Sequence, residues 1–80
     1  MNRDHLAKEA DRLSNDPIFD RALADIRATA LDDLALTDAG QTIAILRLQQ
    51  RVQVIDEIRD MLGRYIIAGQ PQEDAASPFA

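Results

Sequence analysis

His5 is the one histidine of the chain, and it stands between Asp4 and Glu9 near the N-terminus. An imidazole with two carboxylates close by has the donor types of a metal site or of an acid–base pair. Neither is expected here. No second histidine and no cysteine accompany it, and a structural or catalytic metal site draws three or four side chains. No serine, histidine and aspartate fall in an arrangement that would build a nucleophile with its base. The three glycines form no phosphate-cradling loop. The expectation is a chain that is not an enzyme, with no cofactor, no metal and no small-molecule substrate.

What remains is the chemistry of charge and of apolar contact. Fourteen acidic and nine basic residues leave a formal net charge of −5. Affinity for a phosphate backbone comes from clustered Lys and Arg, and here they are scattered, so nucleic acid is not an expected partner. The lack of cysteine excludes disulfide staples and points to a reducing, intracellular setting. The N-terminus lacks the basic-then-apolar pattern of a secretion signal. No apolar run approaches the ~20 residues of a membrane span. Eighty residues make one small domain at most. The 46% hydrophobic fraction is mostly Ala, Leu and Ile, with two Phe, one Tyr and no Trp. Ala and Leu favour helix, and few aromatics mean few large anchors for a core.

Three helices are expected to position these side chains, giving an all-α hairpin. Leu6, Ala10 and Leu13 repeat at four and three, which predicts a short helix over residues 4–14, capped by Asn2 or Asp4. Ser14-Asn15-Asp16-Pro17 breaks it, and Asp16 and Pro17 suit the N-cap and first position of a new helix. Whether that junction is nearly collinear or a true corner is left open. A second helix over 17–36 places Phe19, Leu23, Ile26, Ala30 and Leu34 on one face. Asp38 and Gln41 have the spacing of a capping box, which predicts a long third helix over 39–68, stopped by Gly69 and Pro71. The third helix would be roughly 45 Å long and the second roughly 30 Å. The difference matches the first helix, so the first arm is expected to be kinked and to run back along the third. Residues 1–69 form the expected domain, and residues 70–80 an acidic tail, disordered alone, in which Phe79 is a candidate docking anchor.

The third helix is apolar around too much of its circumference. Ala44, Ile45, Leu48, Val52, Ile55, Leu62 and Ile66 fall within a band of roughly 100°, with a heptad-like spacing that Arg59 interrupts. Ile43, Val54, Ile58, Met61 and Tyr65 form a second band, roughly 60° wide. Arg47 and Arg51 lie between the two, with Asp25 or Asp32 of the second helix as candidate partners. One antiparallel neighbour covers about half of this apolar arc. Either the first helix folds back over the second band or the band meets another chain, and the second outcome is expected. The candidate interface is therefore Ile43, Arg47, Arg51, Val54, Ile58, Met61, Tyr65 and Phe79.

From residue 6 to residue 68 the order is a short helix, "LSNDPIFDRALADI", an Ala/Leu run, a tight turn and "LRLQQRVQVIDEIRDML". In pattern and size this resembles small helical-hairpin proteins of the head and packaging gene clusters of tailed phages and prophages. The resemblance implies a non-enzymatic virion or assembly component of head, connector or capsid. Such a component would act as an oligomer or dock on a larger phage structural protein, in the host cytoplasm or within a particle. Two other classes stay open. One is a ring-forming DNA-packaging subunit similar to small terminases, although the N-terminal helix-turn-helix many of those carry has no counterpart here. The other is a small acidic regulator or inhibitor of a host protein.

Overall fold

The computed structural model describes residues 2–69; Met1 and residues 70–80, with Phe79 and the expected tail, lie outside the described residues. The described part is a helical hairpin of three helices in the order α1 (Arg3–Ser14), α2 (Pro17–Leu36) and α3 (Thr42–Ala68). Among the described residues no helix is long and apolar enough to cross a membrane.

Local chemistry explains where each helix starts. Asn2 is the N-cap of α1, and its side-chain oxygen accepts from the His5 N–H at 2.8 Å. Asp16 caps α2 by accepting from the N–H groups of Ile18 and Phe19 at 2.9 and 3.0 Å, with Pro17 at the first helical position. These bonds satisfy N–H groups that the first turn of a helix leaves without partners. Pro17 has no N–H to contribute to a continuous helix, so the chain breaks where the sequence predicts. Asn15 closes α1 by donating from its amide to the Asp11 carbonyl at 2.8 Å.

The third start differs from expectation. Asp38 and Gln41 do not form a capping box. The Gln41 N–H donates to the Asp38 carbonyl at 2.9 Å, closing a turn through Ala39 and Gly40. α3 begins at Thr42 rather than near Ala39, and no side chain caps it. A four-residue turn and a capping box share the same spacing, because both bring position i+3 back to position i. The backbone bond wins here, after the Thr37 hydroxyl has closed α2 on the Asp33 carbonyl at 2.6 Å.

α1 and α2 each pack on α3 and touch each other only slightly. α1 lies against the C-terminal part of α3, where Gly69 meets Ala7 and Arg3, and α2 runs antiparallel along the rest. The first arm is therefore kinked at Asp16-Pro17 and follows α3 in reverse. The buried apolar residues are Ala10, Leu23, Ala30 and Ile55. Around them Leu6, Leu13, Phe19, Leu34, Ile45, Leu48, Val52, Leu62 and Ile66 are half-buried. A core this thin is expected of a two-layer hairpin, in which most side chains keep one side in water.

Gly63 in α3 and Gly69 at its C-cap test this packing from opposite directions. A Cβ on Gly69 would overlap the Ala7 methyl and press on the Arg3 carbonyl, whereas one on Gly63 meets nothing within 4 Å. Gly69→Ala should lower stability by about 1–3 kcal/mol, as overpacking does. Gly63→Ala should raise it by about 0.5–1 kcal/mol through backbone entropy alone. Thermal unfolding followed by circular dichroism reads both, and a neutral Gly69→Ala would contradict the docking of α1 on the end of α3.

Candidate protein-interaction surface

The two flanks of the α2–α3 contact are built differently. One flank carries ionic clasps. Arg27 on α2 holds Asp56 on α3 through Nε–Oδ1 at 2.8 Å and Nη2–Oδ2 at 3.3 Å. Arg59 on α3 donates from Nη1 to Oδ1 of Asp20 at 2.8 Å and from Nη2 to the Asp20 carbonyl at 3.4 Å. Each helix thus contributes one acid and one base, in orders that fit only an antiparallel pair. Both clasps are exposed, so their main effect is on register rather than on stability. The hydrogen bond from Arg27, helped by its positive charge, holds the Asp56 carboxyl below its usual value, and the same bond pushes Arg27 up.

Arg59 explains its own interruption of the first band. It sits among seam residues but reaches out of the seam to Asp20. The other members of the band, Ala44, Ile45, Leu48, Val52, Ile55, Leu62 and Ile66, are buried or half-buried, as a seam requires.

The second band is open over much of its length. Val54 is 50% exposed, Met61 42% and Ile43 67%. Ile58 and Tyr65 are half-buried. α1 reaches the band only at its C-terminal end, where Leu6, Glu9 and Leu13 form a groove with Leu62 and Tyr65. Toward α2 the band is continued by Arg51, which shares a shallow groove with Asp25, Ile26 and Thr29. Ile26 is itself 45% exposed. It belongs to the edge of the open face as much as to the seam, which its helical position had assigned it to.

Arg47 and Arg51 are exposed, and neither of the partners expected for them pairs with them. Asp25 pairs with Arg21 one turn away on α2, at 2.9 Å. Among the described residues neither Arg47 nor Arg51 forms an ion pair, and neither does Asp32. The local i,i+4 pair costs less ordering than a reach across the hairpin, so it takes the carboxylate first. The clasping arginines are Arg27 and Arg59, which the reading of bands passed over. Their signal was present: Asp20 and Arg27 lie seven apart on α2, and Asp56 and Arg59 three apart on α3. Both spacings keep a pair on one helix face.

The open band has a stricter spacing than its apolar members reveal. Ala44, which the first band also counts, Arg47, Arg51, Val54, Ile58, Met61, Tyr65 and Ala68 follow one another at alternating steps of three and four, a repeat that leaves out Ile43. All but Ile58 and Ala68, which precede Arg59 and Gly69, stand one position before a member of the first seam. α3 thus presents two parallel seven-residue seams, one occupied by α1 and α2 and one unoccupied along most of its length. Arg47 is therefore a member of the second seam and not a divider between two bands.

The donor types singled out near the N-terminus can be placed among the described residues. No three His, Cys, Asp or Glu side chains converge as a metal site there. His5 is exposed, and its described hydrogen bond is the backbone one to Asn2. The groove at the kink, between Phe19, Leu23, Leu62 and the Arg59–Asp20 pair, is part of the packing joint.

The depressed Asp56 carboxyl gives the hairpin a dependence on acid. A group whose folded pKa is lowered contributes stability above its unfolded value, and that contribution disappears as pH falls through the folded value. The loss therefore begins below the ordinary aspartate range, about pH 4. The raised Arg27 titrates far above this window and leaves it unaffected. Asp56→Asn should unfold at a lower urea midpoint than the parent at neutral pH, and the gap should close as pH falls below about 4. A gap that stays constant across the titration would mean the clasp does not operate in solution. Comparison of the chain with protein-family models, with curated proteins and with solved structures finds no match.

Proposed function

We propose that this chain is a non-enzymatic assembly module that acts by protein–protein contact along the open seam of α3. Its setting, on the resemblance in pattern and size, is the head, connector or capsid machinery of a tailed phage. The observation that carries the reading is the half-open stripe of Val54, Ile58 and Met61 on a hairpin whose core is thin. Each aliphatic side chain of that kind, when a partner removes it from water, contributes up to roughly 1.5–3 kcal/mol. A few such contacts compare with the whole stability of a small domain, about 5 kcal/mol at the low end. Binding and folding in such a molecule support one another.

The arginines favour protein contact over DNA. Arg12, Arg21, Arg27, Arg59 and Arg64 are each held by a carboxylate of the chain itself. A guanidinium already neutralised in this way releases no counterion from a phosphate backbone. With the net charge at −5, a packaging subunit that grips DNA directly is the weaker reading.

The experiment places a carboxylate on the open seam. Val54→Asp combined with Met61→Asp alters two exposed side chains, so the helical circular dichroism signal should persist. The double variant should lose the complexes that the parent chain enters, whether with itself or with a larger structural protein, as read by native mass spectrometry. Complexes that survive the double substitution would place the contact elsewhere and remove the basis of this reading.

A further inference from the structure

We propose that the occupant of the open seam of α3 is a second copy of this chain, packed antiparallel about a two-fold axis near Asp56. The proposal rests on the interaction reading above and names its partner. Three observations converge on it.

The first is the spacing. An alternating three–four repeat sustained from Ala44 to Ala68 spans more than three heptads. It is the repeat that lets side chains of one helix insert between those of another with the same repeat. The seam is roughly 36 Å long. A partner of unrelated surface would need only the apolar patch around Val54 and Met61. It would not require the small residues Ala44 and Ala68 to hold the same register at both ends.

The second is polarity along the seam. Its N-terminal half carries Arg47 and Arg51, and its C-terminal half Met61 and Tyr65. A parallel dimer would set each arginine against its own copy, repelling and partly desolvated. The antiparallel two-fold arrangement sets Arg47 against Tyr65 of the second copy, Arg51 against Met61 and Val54 against Ile58. Guanidinium over a phenol ring is a favourable cation–π contact, and the arginine stems supply apolar surface. One axis satisfies every pairing twice, which closes the assembly as a dimer.

The third is a carboxylate at the place where the charge arrives. Glu9 of α1 lines the groove beside Tyr65, between Leu6 and Leu13. It bonds Arg12 at 3.2 Å and has a second oxygen to offer. Arg47 of the second copy, brought to Tyr65, comes within reach of that oxygen. This gives Arg47 the carboxylate that no described residue supplies within its own chain. Glu57, near the axis, flanks the seam on the exposed side, where water screens it from its copy.

Sedimentation equilibrium of the full chain should give a dimer at about 100 μM, and Val54→Asp should weaken it at least ~100-fold with helicity unchanged, because the axis doubles each substitution. The chain has no cysteine, so single introduced thiols report geometry without background. Arg51→Cys and Met61→Cys chains, mixed under mild oxidation, should form the mixed disulfide in preference to either homodimer. A folded chain that stays monomeric overturns the self-pairing. So does a dimer whose Arg51→Cys chains couple mainly to each other. If the monomer nevertheless enters complexes that the Val54→Asp, Met61→Asp variant cannot, only the identity of the partner has failed and the wider interaction reading survives.

Discussion

Among the described residues nearly all contact between helices runs through α3. α1 and α2 are joined end to end but hardly touch, so neither can bury its apolar face without the long helix. This constraint determines the composition of α3. A helix with one neighbour needs one apolar stripe; a helix that receives two neighbours on different parts of its surface needs a broader one. The break at Asp16-Pro17 makes α1 and α2 separate neighbours of α3. α1 can lean toward Tyr65 while α2 stays centred on Ile55, and the arc they share does not reach Val54 or Met61.

The charges complete the asymmetry. The Arg27–Asp56 and Arg59–Asp20 clasps lie on one flank of the hairpin and fix its register there. The opposite flank has the exposed edge of Ile26, the carboxylate of Asp25 already bound to Arg21, and Arg51 with only a groove beside it. An ionic flank is well served by water; an apolar flank with arginine stems is better served by protein. The proposed contact uses the apolar flank for that reason.

Much of the fold was legible in the sequence because the signals were local. Asp16 and Pro17 act on their own first turn, and Asn2 on its own, so the boundaries of α1 and α2 could be read from neighbouring residues. The start of α3 could not. Asp38 and Gln41 satisfy two local motifs of equal spacing, and the choice between a capping box and a closed turn depends on how α2 ends at Thr37. The candidate surface was legible in outline, since Ile43, Val54, Ile58, Met61 and Tyr65 share a side of one helix. Its borders were not, because Ile26 belongs to another helix and joins the face only through packing.

By itself the sequence determined three helices, the kink between the first two and a third helix with more apolar surface than one neighbour can use. Those properties come from hydrogen bonds and periodicities that span at most a few turns. Only the tertiary structure decided how much of the second band α1 covers, which arginines cross to α2 and which remain on the open seam. Those outcomes depend on how α1 and α2 each pack on α3 and on competition between near and distant carboxylates. A chain read one element at a time contains neither.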